Sequence, residues 1–241
     1  MTASVDIRRA SDRGTSTTDW LDSKHSFSFG DYYDPSNTHH GLLLVNNDDV
    51  VAPGTGFDTH PHRDMEIVTW VLQGSLEHRD SMGNSGVIYP GLAQRMSAGT
   101  GVLHSEKNGS DSDAVHFVQM WVIPDESGIA PGYQQAEIDD GALAGGLMTI
   151  ASGMHDDAAI AIHNKSAALH VGRLQPTDVV VLPAAKFLHL FVARGEGTLE
   201  DAGTLHEGDA VRFTASGGER VTATKPAELL VWEMHADLSG A

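Results

Sequence analysis

The sequence predicts an all-β fold made of two jelly-roll barrels in tandem, and three observations carry that expectation. Short apolar segments alternate with glycine-rich turns along the chain, no stretch reads as a long helix, and features of one half recur in the other. A length of 241 residues allows one large β domain or two of about 100–120 residues, and the recurrence favours two.

In chain order the apolar runs are GLLLVNN from Gly41, EIVTWVL from Glu66, VHFVQMWVI from Val115, VVVLPA from Val179 and FLHLFVARG from Phe187. Turn clusters bound them: DSMGNSG from Asp80, SAGTG from Ser97, EDAG from Glu200 and TASGG from Thr214. Only GYQQAEIDDGALAGG, Gly132 to Gly146, reads as a helical connector between the halves. The repeat is clearest where GLAQRMSAGTG, Gly91 to Gly101, aligns without gaps with GDAVRFTASGG, Gly208 to Gly218. Upstream, TWVLQG ending at Gly74 matches LFVARG ending at Gly195. The expected division is therefore residues 1–135 and 136–241.

Composition excludes several functions. A net charge of −18 with no long basic cluster opposes binding to phosphate backbones, so direct nucleic-acid binding is not expected. There is no apolar run near 18 residues and the first 20 residues lack a signal-peptide core, which leads to the expectation of a cytoplasmic protein without a membrane span. With no cysteine, any metal must be held by histidine and carboxylate, a donor set that suits Fe, Mn, Ni, Cu or Zn. The 14 histidines become the place to look.

His60 and His62, in FDTHPHRDME, stand at i and i+2, so on a strand both side chains share a face and Pro61 points away. His104 and Glu106, in GVLHSEKN, repeat the spacing. Two neighbouring strands would then offer three imidazoles and a carboxylate, leaving up to two open positions on an octahedral ion. Open positions point to catalysis or ligand binding; the competing reading is a closed four-coordinate zinc, which usually recruits cysteine. Carrying the repeat's register into the second half places Val181 and Pro183 opposite the first pair and Val221 and Ala223 opposite the second. No ligand is available at those positions, so the C-terminal barrel is expected to be a degenerate copy without metal ligands. Glu66 is ambiguous on spacing, since it lies an even number of residues from both His60 and His62.

Gly54 to Glu66 resembles the first cupin motif and Gly91 to Asn108 the second. Seven residues rather than six separate Glu66 from Gly74, Ser97 stands in place of the usual proline, and four residues rather than two precede His104. These departures are those of the pirins, bicupin proteins that THPHRDMEIVT and SAGTG…HSE closely resemble. WLDSKHSFSFGDYYDP from Trp20 and QMWVIPDESGIAPGYQQ from Gln119 extend the likeness over most of the first 135 residues.

The resemblance implies two tandem cupin barrels and one divalent transition metal per chain, Fe(II) first, with Mn, Ni, Cu, Co or Zn as alternatives. It implies His60, His62, His104 and Glu106 as ligands and Glu66 as a salt-bridging or supporting carboxylate. It further implies quercetin 2,3-dioxygenase activity, opening the central ring of a flavonol with O2, with Glu106 as the base that takes the 3-hydroxyl proton. The alternative, also known among pirins, is a metal-dependent regulator that binds a protein partner with little turnover.

Other residues read as ordinary. His39 and His40 fit a surface turn, and His78 and His116 fit satisfied structural histidines beside the pocket. Gln119 and Trp121 share one strand face, either core or pocket lining, and His155, His163 and His170 have no ligand spacing.

Overall fold

The computed structural model describes residues 2–238, and its regular structure is almost entirely antiparallel β. In the N-terminal half a seven-stranded sheet runs Gly132–Glu137, Leu92–Ser97, Glu66–Gln73, Val115–Val122, Leu43–Val51, Leu21–His25, Gly14–Thr17. A four-stranded sheet, Gly56–His62, Val102–Asn108, Leu76–Asp80, Ser85–Ile88, closes over it. Val51, Val71, Leu76, Ile88 and Phe117 fill the space between the two.

The C-terminal half repeats this count. Its larger sheet runs Ser4–Arg8, Ala210–Ser216, Ala185–Arg194, Ala227–Met234, Ala167–Leu174, Met148–Ser152, Ile160–Ala161. The smaller runs Val179–Val181, Arg220–Ala223, Glu196–Leu199, Gly203–His206. Two tandem barrels are thus present, as the repeat predicts. The glycines that anchor the repeat have a steric cause. Gly74 and Gly195 hold φ of 77° and 78°, where a Cβ would lie 2.8 Å from the Ala114 carbonyl oxygen and 1.9 Å from that of Pro226.

The two seven-stranded sheets also bury each other. Val68, Trp70, Val118 and Met120 from one and Leu169, Phe191, Leu230 and Trp232 from the other belong to one core. Strands such as Glu66–Gln73 are covered on both faces, and their apolar runs are continuous rather than alternating for that reason.

Two features differ from the sequence expectation. Gly132–Glu137 is a strand paired with Leu92–Ser97, and the helix after it spans only Asp140–Leu143; Gly141, Gly145 and Gly146 leave too little helical propensity to extend it. Ser4–Arg8, inside the division expected for the N-terminal half, pairs with Ala210–Ser216 and so joins the C-terminal sheet. No helix among the described residues is long and apolar enough to cross a membrane.

Candidate metal centre

His60 lies directly across from His104 in the pairing of Gly56–His62 with Val102–Asn108. Alternation sends both inward: His104 is buried while the adjacent Leu103 is 48% exposed. His62 joins them, with ring centroids 4.8 Å from both His60 and His104. The register shifts between His104 and Glu106, a bulge of the kind that re-aims side chains, whereas the pairing of the same strand with Leu76–Asp80 is unbroken. Two groups result, each with ligand atoms within 4.8 Å of one another: His60, His62 and His104, and His78, His104 and Glu106. Glu106 therefore meets the imidazoles through His104 and is not part of the three-histidine group.

The protonation pattern prepares the imidazoles as lone-pair donors. His60 Nδ1 lies 2.7 Å from the Asp58 carbonyl oxygen, which can only accept, so Nδ1 carries the hydrogen and Nε2 presents a lone pair. That Nε2 is 3.0 Å from His104 Nε2, and His62 Nε2 is buried without a hydrogen-bond partner. Burial first, then the neighbouring His60, pushes His62 down to about 4. Burial first, then His60, His62 and His78, pushes His104 down to about 2. Both shifts favour neutral rings at His62 and His104, the form that binds metals. An ion about 2.1 Å from two nitrogens at a right angle separates them by about 3.0 Å, so the donor set fits a divalent transition metal.

Glu106 is buried, which raises its carboxyl to about 7 against the opposing hydrogen bond from Gln119. Gln119 Nε2 donates to Glu106 Oε2 at 2.7 Å, and Gln119 Oε1 accepts from Trp121 Nε1 at 3.1 Å. Trp121 stands edge-on to His62, with centroids 4.8 Å apart, and to Phe29 at 5.5 Å. A cavity of about 350 Å³ opens here, lined by Phe29, Phe57, His60, His62, Glu106 and Trp121 among others. Its size is in the range of small-molecule sites.

The remaining candidates fall elsewhere. Glu66 is fully buried, accepts from Ser97 Oγ and the His163 backbone N–H, both at 3.0 Å, and lies 4.0 Å from Arg95 Nε. His116 pairs with Asp48 at 2.6 Å, His39 is exposed, and His40 Nε2 reaches the Phe213 carbonyl of the other barrel at 3.0 Å. Gln119 and Trp121 line the cavity; their i, i+2 spacing was the available signal. His78 sits nearer the centre than its sequence context implies, with Nδ1 3.5 Å from His104 Nδ1 and Nε2 3.3 Å from Asp80 Oδ2. No spacing rule links residues on separate strands, so only the observed register reveals it.

Paired jelly-roll barrels with a His/Glu group able to hold a metal define a bicupin. Residues 6–122 match the family description Pirin, and residues 149–234 match that of the Quercetinase C-terminal cupin domain. The chain belongs to the pirin family. It is 67% identical over 239 residues to a Mycobacterium tuberculosis (strain H37Rv) protein whose name reads "Putative quercetin 2,3-dioxygenase", covering 99% of this chain and 98% of that one. Quercetin 2,3-dioxygenase of Escherichia coli K12 is 51% identical over 133 residues, 55% of this chain and 58% of that protein. A crystal structure of the bacterial pirin YhhW from Escherichia coli in complex with nickel(II) superposes with a TM-score of 0.89 at 34% identity, covering 98% of this chain and 100% of that one.

Proposed function

We propose that the N-terminal barrel holds a mononuclear metal centre with His60, His62 and His104 as imidazole ligands and Glu106, which meets them through His104, as the fourth, and that the chain opens the central ring of a quercetin-type flavonol with O2. The carrying observation is the convergence of three imidazoles, two with nitrogens 3.0 Å apart and a third with an unpartnered buried Nε2, beside a cavity that His60 and His62 line together with Phe29, Phe57 and Trp121. Fe(II) is the first choice of ion; Mn, Ni, Cu, Co or Zn fit the same donors, and nickel(II) is the ion in the YhhW complex. The C-terminal barrel contributes scaffold: Val180 pairs with Val221 as His60 pairs with His104, and Val180, Leu182, Val221 and Ala223 are buried apolar side chains, whereas Val181, which the repeat alone aligned with His60, faces outward at 59% exposure.

When bound, a divalent cation acidifies a coordinated enol and holds the reactants together. The chain supplies the rest. Phe29 and Trp121 form aromatic walls for a planar flavonol. Gln119 fixes Glu106 Oε2, leaving Oε1 to receive the proton of the flavonol 3-hydroxyl.

The test compares oxygen uptake per bound metal in the parent and Glu106→Gln proteins with quercetin between about pH 6 and 9. General-base contributions are about 10²–10⁴-fold, so turnover should fall far more than metal occupancy, and the difference should shrink as the substrate ionises by itself. Equal rates per metal at low pH would remove Glu106 from proton transfer. A fully metallated parent without flavonol-dependent oxygen uptake would replace the enzyme reading with the regulatory one.

A further inference from the structure

The C-terminal barrel has no donor at the positions corresponding to the N-terminal ligands, yet it gathers one elsewhere. Ligand atoms of His155, His170 and Glu233 all lie within 4.8 Å of one another. His170 comes from Ala167–Leu174, Glu233 from the adjacent Ala227–Met234, and His155 from the connection between Met148–Ser152 and Ile160–Ala161. By alternation, Glu233 shares the face of Leu229 and Val231, and His170 that of Leu174, all three of which pack inside this barrel. The group is therefore distinct from the core shared between the barrels.

We propose that His155, His170 and Glu233 form a second divalent-cation site, for a borderline ion such as Zn(II), with a fourth position open to solvent. Two neutral imidazoles and one carboxylate are a common zinc donor set. Glu233 Oε2 lies 2.8 Å from His170 Nε2 and 4.0 Å from His155 Nε2, separations that an ion about 2.1 Å from each donor can span. Each buried donor also has an outer partner. Glu233 Oε1 accepts from His235 Nε2 at 2.8 Å, and His170 Nδ1 lies 3.1 Å from Thr149 Oγ1, the arrangement that orients ligands in metal sites. In the cation-free protein His170 Nε2–H donates to Glu233. On binding, the ring hydrogen moves to Nδ1 and Thr149 Oγ1, a hydroxyl able to accept as well as donate, receives it. His155 is held over the pair by its backbone N–H, which donates to Ser152 Oγ at 2.9 Å. Its side chain is 40% exposed, giving the ion an entry path. The site departs from the expectation of a metal-free C-terminal barrel, which followed the repeat alone.

Zn(II) binding is measured on chelator-stripped full-length protein by calorimetry and elemental analysis, in the parent and in His62→Ala/His104→Ala, which silences the N-terminal group. The silenced chain is expected to keep one Zn(II) and to gain thermal stability on adding it. Adding His155→Ala should weaken that binding by at least about 100-fold, exceeding the 10–100-fold typical of losing an outer partner, and should abolish the thermal shift. Because His155 is exposed, its replacement leaves the core intact, and Glu233→Gln serves as the second variant. A silenced chain that binds no Zn(II) at micromolar concentration, or binds it equally after His155→Ala, overturns the site. Either result stands whatever the N-terminal centre does, because that centre has been removed.

Discussion

His62 and Glu66 stand four residues apart, yet they serve different neighbourhoods. Between them Asp64 takes a φ of 48°, the strand Gly56–His62 ends, and a new one begins at Glu66. Side-chain parity is reset there, which is why even spacing could not decide the role of Glu66. Replacing His60, His62 or His104 by Ala should sharply lower metal occupancy measured by elemental analysis. Glu66→Ala should leave occupancy unchanged and cost about 3 kcal/mol in denaturant unfolding, because Arg95 is left as a buried unpaired charge. Asp49 offers a pH test. Burial first, then Asp48, Glu106 and Asp22, raises its carboxyl to about 7 despite the hydrogen bond from Ser23. An acid raised on folding favours the folded state fully below its unfolded value near 3.9, and this contribution is lost as pH rises through the folded value. Asp49→Asn should therefore be more stable than the parent above about pH 7, by at most about 4 kcal/mol, with the gain disappearing near pH 4. Thermal melts of the metal-free proteins at the two pH values give the comparison.

At the scale of elements, strand pairing decides both what the sequence revealed and what it hid. His60, His62 and His104 could be read because alternation along one strand is a local rule, and these three come together, whereas the bulge between His104 and Glu106 sets Glu106 apart from them and alternation alone did not show that. His78 could not be read, since its approach to His104 depends on the register between Leu76–Asp80 and Val102–Asn108. Ser4–Arg8 was equally hidden: SVDIR is short, polar and exposed at most of its positions, and its partner lies about 200 residues away. The connection is held by more than the ladder, because Asp209 accepts from Arg9 Nη1 at 2.7 Å and from the Ala10 backbone N–H at 2.8 Å. Removing residues 2–10 should lower the melting temperature and increase hydrogen exchange in Ala210–Ser216, which becomes an edge strand. Unchanged protection there would show that the pairing contributes little in solution.

Across the whole molecule, the two barrels are joined by a core that neither half could bury alone. Trp70 is fully buried in it, and its Nε1–H donates to Glu228 Oε1 of the other barrel at 2.6 Å. Trp70→Ala should cost about 3–5 kcal/mol in urea unfolding, with both barrels losing stability together. Separate transitions with only the N-terminal one displaced would contradict a shared core. The placement of Ser4–Arg8 has a consequence for how the chain is made. Synthesis proceeds at about 5–20 residues per second, so Ser4–Arg8 waits roughly 10–40 seconds for Ala210–Ser216, its partner. All eleven strands of the N-terminal barrel lie between residues 14 and 137 and can close during that interval. Ser4–Arg8 thus stays without its ladder partner while the N-terminal barrel closes, and the tie between this strand and the C-terminal sheet is made late in synthesis.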